Sequence, residues 1–297
     1  MITIFVAGIA AGTTILLAAL GEIVTERAGV LNLGVEGMML VGAVTGFVVN
    51  LRVEDPWLGA LAAVAAGALL GVLHAVLVVG FRTNQVVTGL ALVIFAQGLS
   101  GYVGQSSVGV APPETFRTLE IPGLSSIPVL GRVLFSQDAL VYLSFLLVAV
   151  LWWFLFRMRP GLNLRSVGES PESADAVGIS VARTRYAAVA VGGGFAGLGG
   201  AYLSLAQAPS WIPNMTAGRG WIAIALVNLR YVVAGAGGFR CLPIRLRRGA
   251  RVQIAGDRDR RPEFLRLHAS VSVHDPRAGG HLEGHGPPAP LGTGGPR

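Results

Sequence analysis

Apolar runs of close to twenty residues recur along the first 230 positions of the chain, beginning with ITIFVAGIAAGTTILLAAL at residues 2–20. A helix of about 20 residues rises about 30 Å, which matches the hydrocarbon thickness of a bilayer. That layer holds no water, so a crossing segment must pair its own backbone groups and becomes a helix or part of a closed barrel. Runs of this length, unbroken by polar alternation, predict helices. The spans are expected at about 3–20, 35–50, 57–80, 85–104, 138–157, 186–207 and 217–232. The predicted fold class is all-α: a polytopic integral membrane helical bundle of about seven spans, occupying residues 1–229. Only 13% of the residues are charged, about half the share in an average soluble domain. The first run has no basic stretch before it and more spans follow, so it reads as a transmembrane helix, not a secretory leader.

Charge placement orients the bundle. The connection RMRPGLNLRSVGESPESADAVGISVARTR carries Arg157, Arg159, Arg165, Arg183 and Arg185, whereas the link around 105–137 has only Arg117 and Arg132. Arginine-rich short loops stay cytoplasmic. Counting back places Arg82 and the Glu26–Arg27 pair inside, with Arg52 and the N-terminus outside. A re-entrant segment would upset this count.

Several function classes are excluded or disfavoured. All 23 basic residues are arginine, and a phosphate-binding P-loop requires a lysine. Cys241 is the sole cysteine, so no intrachain disulfide forms. One histidine, His74, lies in the body and reads as structural; no metal-ligand spacing or catalytic constellation appears, so no cofactor or metal is expected. The formal charge of +7 comes entirely from residues 230–297, which hold 12 arginines against 5 acids. This excess lies in a tail and not on a folded basic face, which argues against nucleic acid as partner. The tail, with four of five histidines and seven of sixteen prolines, shows no helical or strand period and is expected to be disordered. Its abrupt start inside WIAIALVNLRYVVAGAGG suggests a frameshift near 228–232; a genuine basic tail is the alternative.

Inside the spans, Gly8/Gly12, Gly42/Gly46, Gly67/Gly71 and Gly193/Gly197 have the small-xxx-small spacing that lets membrane helices approach closely. VGGGFAGLGGAYL reads as such a packing face, not a dinucleotide loop, because no strand precedes it. Trp57, Trp152 and Trp153 suit an interfacial belt.

The stretch GEIVTERAGVLNLGVEGMML at 21–40 crowds three glutamates, an arginine and an asparagine between apolar runs. Gly29, Gly34 and Gly37 permit a broken helix there. Charge and irregular backbone at membrane depth survive only inside protein or beside a wet cavity. Asn32 and Glu36 share a face if a helix runs through both. An interfacial loop whose charges meet water is the other reading. Asn84-Gln85 and Thr216 each precede a span, as caps or as hydrogen-bonding ends for a polar solute. Gln97 is a polar group within a span, bonding a neighbouring helix or a solute.

ERAGVLNLGVEGMMLVGA resembles the early region of permease subunits of ABC importers, in the branched-chain amino acid/simple sugar permease family and its nucleoside-type branch. TNQVVTGLALVIFAQGLSGYVG and MTAGRGWIAIALV are similar to later segments, so the likeness covers residues 1–229 and stops at the tail. Glu172, Ala174 and Gly178 resemble the E-x-A-x-x-x-G element that engages the ATPase, with Arg165, Glu169 and Arg183 around it. Independently, Ser170-Pro171 is a good helix start and Gly178 a good stop. The resemblance implies a cytosolic ABC ATPase subunit, a second permease and an extracytoplasmic solute-binding protein as partners, besides membrane lipid. It also implies an inner or plasma membrane location, a substrate path through Asn32, Glu36, Asn84, Gln85 and Gln97, and no enzymatic chemistry in this chain. A branched-chain amino acid permease, or an ATP-independent transporter or channel, remains an alternative.

Overall fold

The computed structural model describes residues 2–120 and 130–237. The residues expected to form the basic tail lie outside the described residues from position 238 onward, and so does the test of a frame change there.

The first helix, α1 (Ile2–Arg27), continues about two turns past the expected end at residue 20. Glu22 and Glu26 are therefore helical, not loop, residues. The helix stops where Gly29 takes φ +76°, with Gly29 N–H donating to the Glu26 carbonyl and Val30 N–H to the Thr25 carbonyl. This pairing of the last carbonyls needs a left-handed residue, which glycine adopts without a Cβ clash. After a seven-residue break, α2 (Val35–Val53) begins. Asp55 then accepts from Trp57 N–H (2.8 Å) and Pro56 opens α3 (Pro56–Ala75), which runs on through a π turn to Gly80. Next, α4 (Gln85–Gly104) starts on Asn84, whose Oδ1 accepts from Val86 N–H at 2.9 Å.

The long link before the next span contains a small hairpin and a short helix. Here β1 (Thr118–Glu120) pairs antiparallel with β2 (Ser136–Asp138), with α5 (Leu130–Leu134) between them. The span α6 (Ala139–Arg157) is followed by two short helices, α7 (Arg159–Glu169) and α8 (Pro171–Ala176). Then α9 (Val181–Tyr202), extended by a π turn to Gln207, starts five residues earlier than expected. Last is α10 (Arg219–Gly237). Six of these helices are long and apolar enough to cross a membrane, and α10 is apolar from Arg219 to Leu229.

The glycine-rich α9 is the core of the bundle, enclosed by α1, α2 and α3. A Cβ on Gly67 or Gly42 would run into α9 backbone at Gly193 or Gly197, and one on Gly197 into the Ala63 carbonyl. Backbones this close gain dispersion contact that lipid cannot supply between separated helices. Gly8 and Gly12 are different: nothing lies within 4 Å of a Cβ on either, so this pair does not pack within the chain. On the outside, α4 and α6 present Ile94, Phe95, Tyr102, Phe145, Leu146, Trp152 and Trp153, all exposed. An apolar exterior over a tightly packed small-residue interior is how a bundle behaves when lipid is its solvent.

The two ends of the bundle match the charge count. Glu26, Arg27, Gln85, Arg165 and Glu169 line one cavity, and Arg82, Glu172 and Arg185 line another beside it. At the opposite end, the Asn50 amide donates to the Glu114 carbonyl at 2.7 Å and Trp57 packs edge-on against Phe116 at 4.9 Å.

Candidate functional site

The break between α1 and α2 is built from buried polar groups. Glu22, fully buried on α1, accepts from Thr25 Oγ1 (3.2 Å) and from the Asn32 backbone N–H (3.3 Å). Asn32 is also fully buried, and its Oδ1 accepts from Gly34 N–H at 3.1 Å. No helix runs through Asn32, so it does not share a helical face with Glu36; it shapes the turn that launches α2. Gln85 joins the break from α4, its Oε1 accepting from Leu31 N–H at 2.8 Å.

Glu36, in the first turn of α2, is 2% exposed and has both carboxylate oxygens occupied. Oε1 accepts from Thr216 Oγ1 (2.6 Å) and Gly218 N–H (2.8 Å), and Oε2 from Gly220 N–H (2.6 Å). These donors belong to the turn before α10 and its first residues, where backbone N–H groups have no helical partner and the helix dipole favours negative charge. The turn is tight: Ala217 has φ +46° and Gly218 φ +83°. Left-handed Ala217 costs about 1 kcal/mol, offset by aiming successive N–H groups at one carboxylate, an arrangement that binds anions. A Cβ on Gly220 would lie 2.7 Å from the Glu36 Cα, so only glycine fits.

This junction sits deep in the bundle. A Cβ on Gly34 would be 2.8 Å from the Leu92 side chain, and one on Gly37 2.8 Å from Ala96. Leu92 and Ala96 lie about 10 and 16 Å along α4 from its start, so α2 begins near the middle of a core about 30 Å thick. The chain after α9 returns to the same level. Trp211, fully buried, presses on Gly104 at the far end of α4, and Thr216 reaches Glu36 only five residues later. Residues 208–218 thus form a re-entrant, non-helical stretch that the count of spans did not include. Two broken elements, with the N-termini of α2 and α10, meet inside the protein. Discontinuous helices at such depth mark substrate and ion sites in transporters.

The remaining pathway candidates lie apart from this junction. Asn84 is exposed at its cap position. Gln97 is exposed on the outward face of α4; its backbone carbonyl accepts from Ser100 Oγ, and its side chain makes no hydrogen bond among the described residues. Gln85 lines the cavity beside Glu26 and Arg27, and Asn84 lines a different, apolar one with Leu73, Leu77 and Phe95. Glu22 and Gly220 are the groups that reading of the sequence did not assign; Thr216, read there as a cap or a hydrogen-bonding end, donates to Glu36. An acid directly continuing an apolar run was the signal for Glu22, masked by ending α1 at residue 20.

At the end that the charge bias assigns to the cytoplasm, α8 is a single short helix. Gly178 at φ +83° donates to the Asp175 carbonyl, and Ile179 N–H to the Ala174 carbonyl, closing it in the manner seen at Gly29. Ser170 does not cap the backbone as expected; its Oγ donates to Ser173 Oγ at 2.7 Å. Ala174 is buried while Glu172 stays exposed, lining a cavity of about 560 Å³ with Arg82 and Arg185. Arg185 Nε donates to the Ala28 carbonyl (3.1 Å), anchoring α9 to the end of α1. Arg165 stacks on Phe156, 5.1 Å from the ring centre, a cation–π contact, and also lines the cavity beside Glu26 and Arg27. Glu169 lines the cavity of about 410 Å³ beside Arg27, and Arg183 opens onto a separate apolar groove. Among the described residues, no group of three His, Cys, Asp or Glu is placed to hold a metal.

A polytopic helical membrane protein with broken helices meeting at its centre is the class that these features define. A model of the family described as branched-chain amino acid transport system / permease component matches residues 4–239, and the chain belongs to this family. Its relatives include TsgC13 of Haloferax volcanii, provisionally named a glucose ABC transporter permease protein, 48% identical over 74% of this chain and 68% of that protein. The guanosine ABC transporter permease protein NupQ of Bacillus subtilis is 40% identical, over 71% of this chain and 70% of its own. The nucleoside ABC transporter permease protein NupC of Lactococcus lactis is 36% identical, over 72% and 70%. No solved structure matches the chain.

Proposed function

We propose that this permease is the membrane-spanning subunit of an ATP-driven importer that carries a nucleoside or a simple sugar across the inner or plasma membrane. The observation that carries the reading is the similarity to permeases named for guanosine, nucleosides and glucose, over more than two thirds of each protein. Its partners are a cytosolic ABC ATPase, a second permease and an extracytoplasmic solute-binding protein. The ATPase engages α8, whose closed, compact shape and exposed Glu172 suit a helix seated in a partner's groove. ATP-driven movement of α8 passes through α7 and the ends of α1 and α9, which Arg185 and the close approach of Gly168 to Arg27 tie together. The central junction around Asn32, Glu36 and Gln85 then changes its opening.

The test is reconstitution of the full chain with candidate ATPase, second permease and binding protein in vesicles, with radiolabelled guanosine, glucose and leucine offered in parallel. Uptake of guanosine or glucose that requires ATP and the ATPase supports the reading. Leucine uptake alone, or uptake without ATP, overturns it.

A further inference from the structure

An apolar groove of about 520 Å³ opens between α6, α7 and α9, floored by Val24 of α1. Along α9 it runs from Arg183 to Phe195, twelve residues and so about 18 Å, close to the roughly 15 Å of one leaflet's hydrocarbon. Its walls include Leu147, Phe154, Ala187 and Val191, of which Ala187 and Val191 are exposed into it. The mouth is polar: Arg183 and Asn163 line it, both exposed, and neither makes a side-chain hydrogen bond or ion pair among the described residues. Thr184, also at the mouth, is already committed to the Ser180 carbonyl at 2.9 Å. Trp152 and Trp153, exposed on α6 near the same end, suit the headgroup level.

We infer that this groove is a binding site for one membrane phospholipid with an anionic headgroup, its acyl chain lying along α9 and its phosphate paired with Arg183 and Asn163. The inference rests on the membrane-spanning fold and not on what is transported. The length matches a chain in a single leaflet, and the apolar walls gain from covering it. An unpaired guanidinium and an amide donor at the headgroup end match a phosphate in charge and geometry. A lipid held this way differs from the mobile lipid around any membrane protein, because it is fixed by shape at one end and charge at the other. It also cements α7 to the spans, beside the segment expected to meet the ATPase.

The full chain is purified in mild detergent, and retained lipid is counted by native mass spectrometry. The delipidated protein is then titrated with phosphatidylglycerol or phosphatidylcholine in mixed micelles. One tightly held phospholipid is expected, with phosphatidylglycerol preferred at least ten-fold. Ala187→Phe, which fills the groove, is expected to lower retention at least ten-fold. Arg183→Glu is expected to abolish the headgroup preference while the variant still binds some lipid, and Arg183→Lys restores much of it. Glycerol 1-phosphate, a headgroup without a chain, should not compete. Equal affinity for the two lipids, undiminished retention in Ala187→Phe, or full competition by glycerol 1-phosphate would each overturn the proposal. The wild-type titration stands even if a variant fails to fold.

Discussion

Glu36 shows how one side chain can hold two distant pieces of chain at a depth where water does not reach. Its three donors lie 180 to 184 residues away in sequence. Glu36→Ala leaves those donors buried and unpaired, which should cost about 3 kcal/mol or more. Glu36→Gln keeps one acceptor oxygen but turns an amide N–H₂ toward a backbone N–H, so it should also destabilise, by less. Thermal unfolding in detergent ranks the three proteins, and a wild-type melting temperature in Glu36→Ala would refute the role. Asp138 is a second case, outside the spans. Its Oδ1 accepts from Leu140 and Val141 N–H (both 3.0 Å) and its Oδ2 from the Tyr202 hydroxyl (3.1 Å). Burial raises its pKa above the ordinary carboxylate value, against those hydrogen bonds. A raised folded pKa means the folded state holds the proton more tightly, so stability is lost as pH rises through the folded value. Asp138→Asn keeps the cap without the charge. Its melting temperature relative to wild type should therefore climb as pH goes from about 4 toward neutral, then level off. Asp138→Ala loses the cap, about 1 kcal/mol, and should be less stable at every pH. A constant difference between Asn and Asp across that range would rule out the buried-charge account.

At the scale of helices, identical motifs have opposite fates. The pairs Gly193/Gly197 and Gly8/Gly12 have the same spacing, yet only the first meets other backbones. Gly197→Ala should cost 1 to about 3 kcal/mol, because its Cβ would overlap the Ala63 carbonyl of a rigid neighbouring helix. Gly12→Ala has open space and a helix propensity gain of up to about 1 kcal/mol, so it should be neutral or stabilising. Comparing their unfolding transitions checks both; equal effects would mean the packing assignment is mistaken. The break elements were legible in part. Gly29, Gly34 and Gly37 pointed to an interrupted helix, and the interruption is there. That the 208–218 stretch is re-entrant was not legible, because its loop-like composition says nothing about depth. Depth appears only when Trp211 is seen against Gly104 and Thr216 against Glu36.

For the molecule as a whole, the proposed coupling runs from one end to its centre. Glu172 is exposed, bonded to nothing within the described residues, and so dispensable for folding. Glu172→Arg reverses the charge on the surface offered to the ATPase, where reversed rim charges slow or weaken docking. It should lower ATP-dependent uptake ten-fold or more while leaving membrane insertion and melting temperature unchanged. Wild-type uptake in that variant would remove α8 from the coupling role. Arg165 and Arg183, grouped with Glu172 by their place in the loop, line other cavities than it does, one stacked on Phe156 and the other at the mouth of the apolar groove.

What the sequence determined unaided is the medium and the helices: apolar runs of bilayer length leave the backbone no other way to pair its hydrogen bonds, so composition and length suffice. The charge bias likewise sorted the two ends, since each short loop is counted on its own. Which glycines touch, which acid is enclosed and which arginine stays free were decided only by the tertiary structure. Those properties belong to pairs of groups far apart along the chain, and the interactions that pair them act over a few ångströms.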